Sequence, residues 1–483
     1  MNTIQRIAKN SLVLLTSNMI SKILDFFYVM YTARYLGAEG FGILSFSLAF
    51  TGIFMIFTDL GLHNLTIREV ARYKSLAKKY LNNVSVMKAI LVVITLVLIA
   101  IVINLLGYPK QTVKIIYLIS LSIAFKSFTE MFYSIFRAFE KMEYQSLGQI
   151  LNSILMLVGA FFVISQRYGI IGFATTYSLV SLISLGYSFV FFTWKFTLPK
   201  LEIDLSFWKP TIKEALPFFL SAVVDIIAFK IDIIMLSMMK GDLTVGWYSA
   251  AYRLIEALMF IPATFSGAIY PVLSNFYISS KESLKLIYKE SFKYLFIVSL
   301  PIAVGTTILA HKIIIFIYKS DFTHSIIALQ ILIWTIPIFF LTYMFGTMLA
   351  AINKQFLALK INFLCMILNV VVNLILIPKY SYIGASIATV ITELLSFILC
   401  FYLLSKFVYK IQIHKYILKP LLASTIMGLF IYTFAGIKMN IFLSVCISVI
   451  LYFGMLILLK TFSKKDINLF KQIVKINRKV VIE

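Results

Sequence analysis

Runs of apolar residues long enough to cross a bilayer dominate this sequence. Ala89–Leu106 and Leu443–Leu459 contain no charged residue, and each approaches the roughly 20 residues that span a hydrocarbon core of about 30 Å as a helix. An open sheet cannot occupy that environment, because its edges leave backbone polar groups without partners. A barrel needs alternating segments of about 10 residues, and the runs here do not alternate. The reading is an all-α integral membrane protein. The 13% of charged residues against 61% hydrophobic ones leaves too little charge to cover a soluble domain.

Fourteen transmembrane helices are predicted, from 10–35 for the first through 212–239 for the seventh, 245–275 for the eighth and 324–352 for the tenth to 438–460 for the last. The basic residues lie mostly in the short connections, so the net charge of +24 reads as orientation by the positive-inside rule and contact with anionic lipid headgroups, not as nucleic-acid binding. Lys and Arg favour one side by roughly three to one, which places the N- and C-termini in the cytoplasm of a multi-pass protein of the cell (plasma) membrane. Arg6 and Lys9 precede a long apolar run without an A-x-A cleavage pattern, so the first span is expected to be retained. Cys365, Cys400 and Cys446 each sit in an apolar run, and His63, His311, His324 and His414 are scattered. Neither a disulfide framework nor a metal centre is indicated, and no cofactor is expected.

Two halves of the chain align. Gly37 and Gly42 match Gly241 and Gly246. Ala138 and Lys141 match Ala351 and Lys354. Arg167–Gly172 matches Lys379–Gly384. Six spans per copy is an even number, so both copies enter the membrane from the same side, as two parallel six-helix lobes. The expected organisation is an N-terminal lobe over 1–194, a linker over 195–211 with Pro199 and Pro210, a C-terminal lobe over 212–408, two further helices over 409–460 and a basic interfacial tail over 461–483. Two such lobes leave a cleft that rocking would open to alternate sides.

Ionisable residues inside spans are costly and usually face protein or water. Lys22 and Asp25 share one face of the first helix, and Arg253 and Glu256 one face of the eighth. Asp225 and Asp232 lie two turns apart on the seventh. Lys22, Asp25, Arg253 and Glu256 are expected to line a cavity for an anionic substrate group, with Asp225 and Asp232 available to couple an ion. Lys126 and Glu130, four residues apart, are expected to pair with each other, and Asp59 to cap a helix end. Pro217, Pro262 and Pro271 mark kinks. No P-loop, HExxH or GxSxG motif occurs, which removes the commonest routes to ATP-driven or hydrolytic chemistry. The reading is a transporter, not an enzyme.

Several motifs resemble one family. Ala33-Arg34-Tyr35-Leu36-Gly37-Ala38-Glu39-Gly40-Phe41-Gly42 is similar to the A-R-x-L-G-x-x-x-x-G signature of the polysaccharide biosynthesis (O-antigen/oligosaccharide) flippases of the multidrug/oligosaccharidyl-lipid/polysaccharide exporter superfamily. Asp59–Leu62 with Ile67–Glu69, Arg137-Ala138 with Lys141–Tyr144, and Gly246–Tyr252 running to Pro271–Ser274 also resemble it. The resemblance implies a fold shared with multidrug and toxin extrusion transporters and lipid II flippases. It also implies a flippase that moves a polyprenyl-diphosphate-linked oligosaccharide to the outer leaflet. Ser21-Lys22 stands where lipid II flippases carry a Ser-Arg pair. Tyr28 and Val29 replace their Arg-Asp pair, which argues against lipid II as the substrate. The implied partners are a lipid-linked oligosaccharide, membrane lipids, a coupling cation (Na+ or H+) and glycosyltransferases. Sugars need polar and aromatic walls, and the chain holds 27 Tyr and 44 Phe. Two rival readings are a cation-coupled drug antiporter of the same fold and a non-transporting scaffold for polysaccharide enzymes. Cavity cations speak against both.

Overall fold

The computed structural model describes residues 3–196, 200–435 and 440–462. The predicted interfacial tail, apart from Thr461 and Phe462, and Pro199 of the linker lie outside them. Among the described residues the chain is helical and contains no strand. The helices are α1 (Thr3–Met55), α2 (Leu62–Arg72), α3 (Ala77–Leu105), α4 (Lys110–Ala138), α5 (Met142–Gln166), α6 (Gly169–Lys195), α7 (Leu205–Lys240) and α8 (Asp242–Leu258). They continue with α9 (Phe260–Ser279), α10 (Lys281–Tyr318), α11 (Ser325–Leu332), α12 (Thr335–Ala351), α13 (Gln355–Phe407), α14 (Ile413–Phe430) and α15 (Ile441–Leu458).

Two of these are double spans. α1 and α13 each run 53 residues, about 80 Å at 1.5 Å per residue, far more than one bilayer core. Each is broken once, at Gly37 and at Ser381. Among the described residues ten helices could cross a membrane by length and composition, or eleven with α11 and α12 as one span bent by 41°. Dividing α1 and α13 at their breaks, and adding the 36-residue α7 with its Asp225, Lys230 and Asp232, gives the expected fourteen. The eighth expected span is one span, Asp242–Ser279, in which α8 and α9 are separated by a single irregular residue, Met259, three before Pro262, which has no N–H to give the ladder.

The sequence repeat has a backbone counterpart. Left-handed residues recur in pairs at offsets of 204–213: Gly37 (φ 67°) with Gly241 (82°), Gly107 (69°) with Lys319 (69°), Glu140 (56°) with Asn353 (59°), and Gly169 (63°) with Ser381 (54°). Non-glycine residues adopt this conformation at a steric penalty, so their recurrence marks turns fixed by the surrounding fold. At one crossing the two copies also touch. A Cβ on Gly42 would lie 1.8 Å from the Asp242 carbonyl oxygen, and one on Gly246 would lie 1.8 Å from the Ala38 carbonyl oxygen. The second half of α1 and the start of α8 therefore meet backbone to backbone, each glycine lying against the residue four before the other.

The helices group into two compact units. One comprises the chain up to Arg253 with Ile317–His324 and Asn362–Ala388. Its cores lie between α1, α4, α5 and α6, around Tyr28, Ile119, Ala160 and Phe173, and between α2, α3, α4 and α7, around Leu65, Val84, Phe136 and Ala215. The basic stretch after the second span is not only loop. α2 buries Leu62, Leu65, Thr66 and Val70, and Asp59 caps it by accepting from the His63 N–H at 3.2 Å. The linker docks beside it. The Lys200 N–H donates to Asn82 and the Asp204 N–H to Asn83, while Lys79 pairs with Asp204 at 2.9 Å and Arg68 with Glu214 at 2.6 Å. Asp204 caps α7, and the Ser206 hydroxyl, Lys79 and the Phe207 N–H hold its carboxyl down at about 2.

The other unit comprises Leu254–Phe316, Ser325–Ile361 and the chain from Thr389 onward. Within it α9 packs on α12 and α14 on α15. Tyr452 of α15 is buried and donates to the Ile297 carbonyl at 2.8 Å.

Candidate functional site

The first unit encloses a cavity of about 630 Å³ between α1, α4, α5 and α6, with Arg253 of α8 completing its lining. Three cations, Lys22, Lys126 and Arg253, and two carboxylates, Asp25 and Glu130, line it. Asp25 is the centre of this set. Ser153 is its polar neighbour on α5, with Lys22, Arg253 and Lys126 as the surrounding charges. The wall between them is polar and aromatic: Asn18, Gln149, Asn152, Ser181 and Ser184, with Tyr28 and Tyr177 edge to face at 5.9 Å between centroids. Such a site has a surplus of cations within a membrane-crossing bundle, where a charge is far more strongly felt than in water. Its donors suit an oxyanion.

Of the predicted site residues, the fold brings Lys22, Asp25 and Arg253 together. Glu256 follows Arg253 by one turn of α8, belongs to the second unit and does not line this cavity. Lys126 and Glu130 also line the cavity, and the ion pair expected between them does not form. Glu130 lies instead against His63, whose Nδ1 is 3.0 Å from the Glu130 carbonyl oxygen and 4.0 Å from its carboxylate. Behind His63, Asp59 pairs with Lys88 at 2.5 Å, and Lys88 donates also to Ser127 at 3.3 Å. Asp59 thus caps a helix, as expected, and also neutralises a lysine that is only 1% exposed.

Asp225 and Asp232 do not line the cavity. Asp225 has Asn362 as its polar neighbour. Asp232 is buried in a separate polar cluster, where it accepts from the Tyr248 hydroxyl at 2.7 Å and from Asn373 at 2.5 Å. The Asn373 amide also donates to Asn369 at 3.0 Å, while its own oxygen is buried with no hydrogen-bond donor. Among the described residues no group of three His, Cys, Asp or Glu could hold a metal ion. The Asp232 cluster holds a single carboxylate beside the amide oxygens of Asn369 and Asn373.

A bundle of membrane-crossing helices around a charged interior cavity defines a membrane transporter by class. The chain belongs to the polysaccharide biosynthesis protein family, whose model matches residues 7–277; the MatE model matches residues 217–375. The expected family and fold class are therefore borne out. Among relatives, it is 23% identical to the "Probable low-salt glycan biosynthesis flippase Agl15" of Haloferax volcanii over 83% of this chain and 84% of that protein. It is 23% identical to the capsular polysaccharide biosynthesis protein CapF of Staphylococcus aureus, over 82% and 98%. Among solved structures, the lipid II flippase MurJ in an inward closed conformation superposes with a TM-score of 0.78 at 17% identity, covering 92% of this chain and 98% of that one. An inward-facing multidrug resistance MATE transporter gives 0.65 at 17% identity, over 82% and 98%. These structures share the fold with this chain.

Proposed function

We propose that the protein is a flippase that carries a polyprenyl-diphosphate-linked oligosaccharide from the cytoplasmic to the outer leaflet by alternating access, with the lobes over 1–194 and 212–408 rocking about the site. The observation that carries this reading is the convergence of Lys22, Lys126 and Arg253 on one cavity. A diphosphate cannot cross hydrocarbon unaided, and cationic donors in a polar cleft replace its water. The prenyl tail remains in lipid. Asp25 sets the field and holds the cations when substrate is absent. The names of the glycan-related relatives support a glycan cargo.

A coupling cation belongs, on this reading, to the Asp232 cluster and not to the substrate cavity. One carboxylate and two amide oxygens form a hard-oxygen donor set, which suits Na+, and the donorless Asn373 oxygen fits such an ion. Asp225, two turns away, adds negative charge on the same helix.

The test is appearance of lipid-linked sugar on the outer face of proteoliposomes. Lys22→Ala and Arg253→Ala are each expected to lower the rate about ten- to a hundredfold while the protein remains folded, since a charge-assisted contact to phosphate is worth about 1.5–3 kcal/mol. Lys22→Arg should retain more activity than Lys22→Gln. Equal rates for Lys22→Gln and wild type would remove the diphosphate assignment, and undiminished glycan export by both alanine variants would favour a scaffold.

A further inference from the structure

The segment that leads into α7 has two chemically different sides. From Lys200 to Leu205 polar and apolar residues alternate, the period of an extended chain, and Asp204 has extended backbone angles (φ −116°, ψ 92°). The polar set is tied to α3. The Lys200 N–H donates to Asn82 at 2.8 Å and the Asp204 N–H to Asn83 at 2.9 Å, while Glu202 accepts from the Asn82 amide at 3.1 Å. The apolar set is left outside. Leu201 is 87% exposed, Ile203 68% and Leu205 69%. In water a row of three large aliphatic side chains forgoes the gain of burial.

Depth and charge say what covers this row. The first large apolar residue exposed on α3 is Ile90, which opens a face that continues through Val93, Val97, Ile101 and Leu105. On a membrane-crossing helix such a face meets lipid tails. Asn83 stands seven residues before Ile90, about 10 Å along the axis. The headgroup layer is about 5–8 Å deep on each side of the hydrocarbon core, and the apolar face of an interfacial segment sinks about 5–10 Å toward the acyl boundary. The tied segment therefore lies at the level of the phosphates. The end of α6 gives a second marker. Trp194 is 68% exposed, and the Lys195 ammonium lies 4.0 Å from its ring centre. An exposed tryptophan beside a lysine at the end of a span is the pattern of a membrane interface. Exposed lysines flank the aliphatic row, with Lys195 and Lys200 on one side and Lys209 and Lys213 on the other. The two acids inside the row are already engaged, Glu202 by Asn82 and Asp204 by Lys79 at 2.9 Å.

We propose that the segment 200–205 is a membrane anchor. Leu201, Ile203 and Leu205 insert among the headgroups, and Lys195, Lys200, Lys209 and Lys213 hold anionic phospholipid there. The linker is then a strap fixed to α3 on one side and to the lipid surface on the other, and not a free hinge. The inference does not depend on the flippase reading.

The experiment reads lipid contact directly. Ile203→Cys is made in a Cys446→Ser background, since Cys365 and Cys400 are buried, and the full-length protein is labelled there with a fluorophore. It is reconstituted in nanodiscs holding a small share of nitroxide-labelled phosphatidylglycerol or of nitroxide-labelled phosphatidylcholine. Both lipids are expected to quench the fluorophore, the anionic one about fivefold more efficiently, the enrichment expected where a lysine meets an anionic headgroup. Lys200→Gln combined with Lys209→Gln should bring the two lipids to equal efficiency. Leu201→Cys, on the same side of the segment, serves if Ile203→Cys fails to fold. Quenching by neither lipid overturns the anchor, whether the site then proves open to aqueous iodide or shielded from it by another protein surface. Equal quenching by both lipids with the lysines intact overturns the assignment of anionic phospholipid.

Discussion

At the scale of single residues, the protein places charges in a membrane domain in three different ways. Lys88 and Asp59 neutralise each other at 2.5 Å, with Ser127 taking a further proton of the ammonium, which is what a buried pair needs to offset its desolvation. Lys22, Asp25 and Arg253 line a cavity where water or ligand has access to them. Asp232 is buried among amides and a tyrosine hydroxyl. The last arrangement leads to a prediction: Asp232→Asn should abolish the dependence of transport on an imposed Na+ gradient, while binding of the sugar-bearing lipid in the absence of a gradient stays within the wild-type range. Retention of full Na+ dependence would remove Asp232 from the coupling role. The charges at Lys22, Asp25 and Arg253 were legible in the sequence because an ionisable residue in an apolar run needs a reason. The partners of Lys126 and Glu130 were not. A spacing of four says that two side chains share a helix face and nothing about what the other helices present to that face. Gln149 and Asn152 carried no signal either, since neutral polar residues are ordinary in spans.

At the scale of elements, breaks matter as much as spans. Apolar runs located the helices: α8 and α9 remain one span, as expected, across the irregular turn at Met259 before Pro262, while α11 and α12 part before Pro337 with a bend of 41°. Proline was visible in both places, but a kink and a break look alike in sequence. α2 was hidden because its buried residues Leu62, Leu65 and Val70 are interleaved with charges, so no apolar run announces it. The crossing of α1 and α8 gives the clearest prediction. With 1.8 Å between a Cβ on Gly42 and the Asp242 carbonyl oxygen, no rotamer relieves the clash, and the helices must separate. Gly42→Val and Gly246→Val should each reduce the monodisperse fraction in fluorescence-detected size-exclusion chromatography to a similar degree. Normal profiles for either variant would show that the close approach is dispensable.

At the scale of the whole molecule, a fold shared with MurJ at a TM-score of 0.78 and 17% identity is held by the pattern of apolar runs and turns more than by particular side chains. Orientation in the membrane is a property at this scale too. The basic stretch around Lys74, Lys78 and Lys79 should lie in the cytoplasm. Ser75, exposed between α2 and α3, provides the test: a cysteine there should react with an impermeant maleimide only after cells are opened. Reaction in intact cells would reverse the topology and with it the direction of transport. The reciprocal fit of Gly42 and Gly246 bears finally on origins. A contact in which each side offers the same residue to the same backbone atom of the other is the contact that two copies of a half-length chain would make about a two-fold axis. One glycine in one short gene would have closed both sides at once. In a single chain the two positions are encoded separately, yet neither tolerates a larger residue, because any side chain beyond hydrogen at one meets the carbonyl opposite it. The crossing therefore has, within one chain, the form of a two-fold contact between like halves.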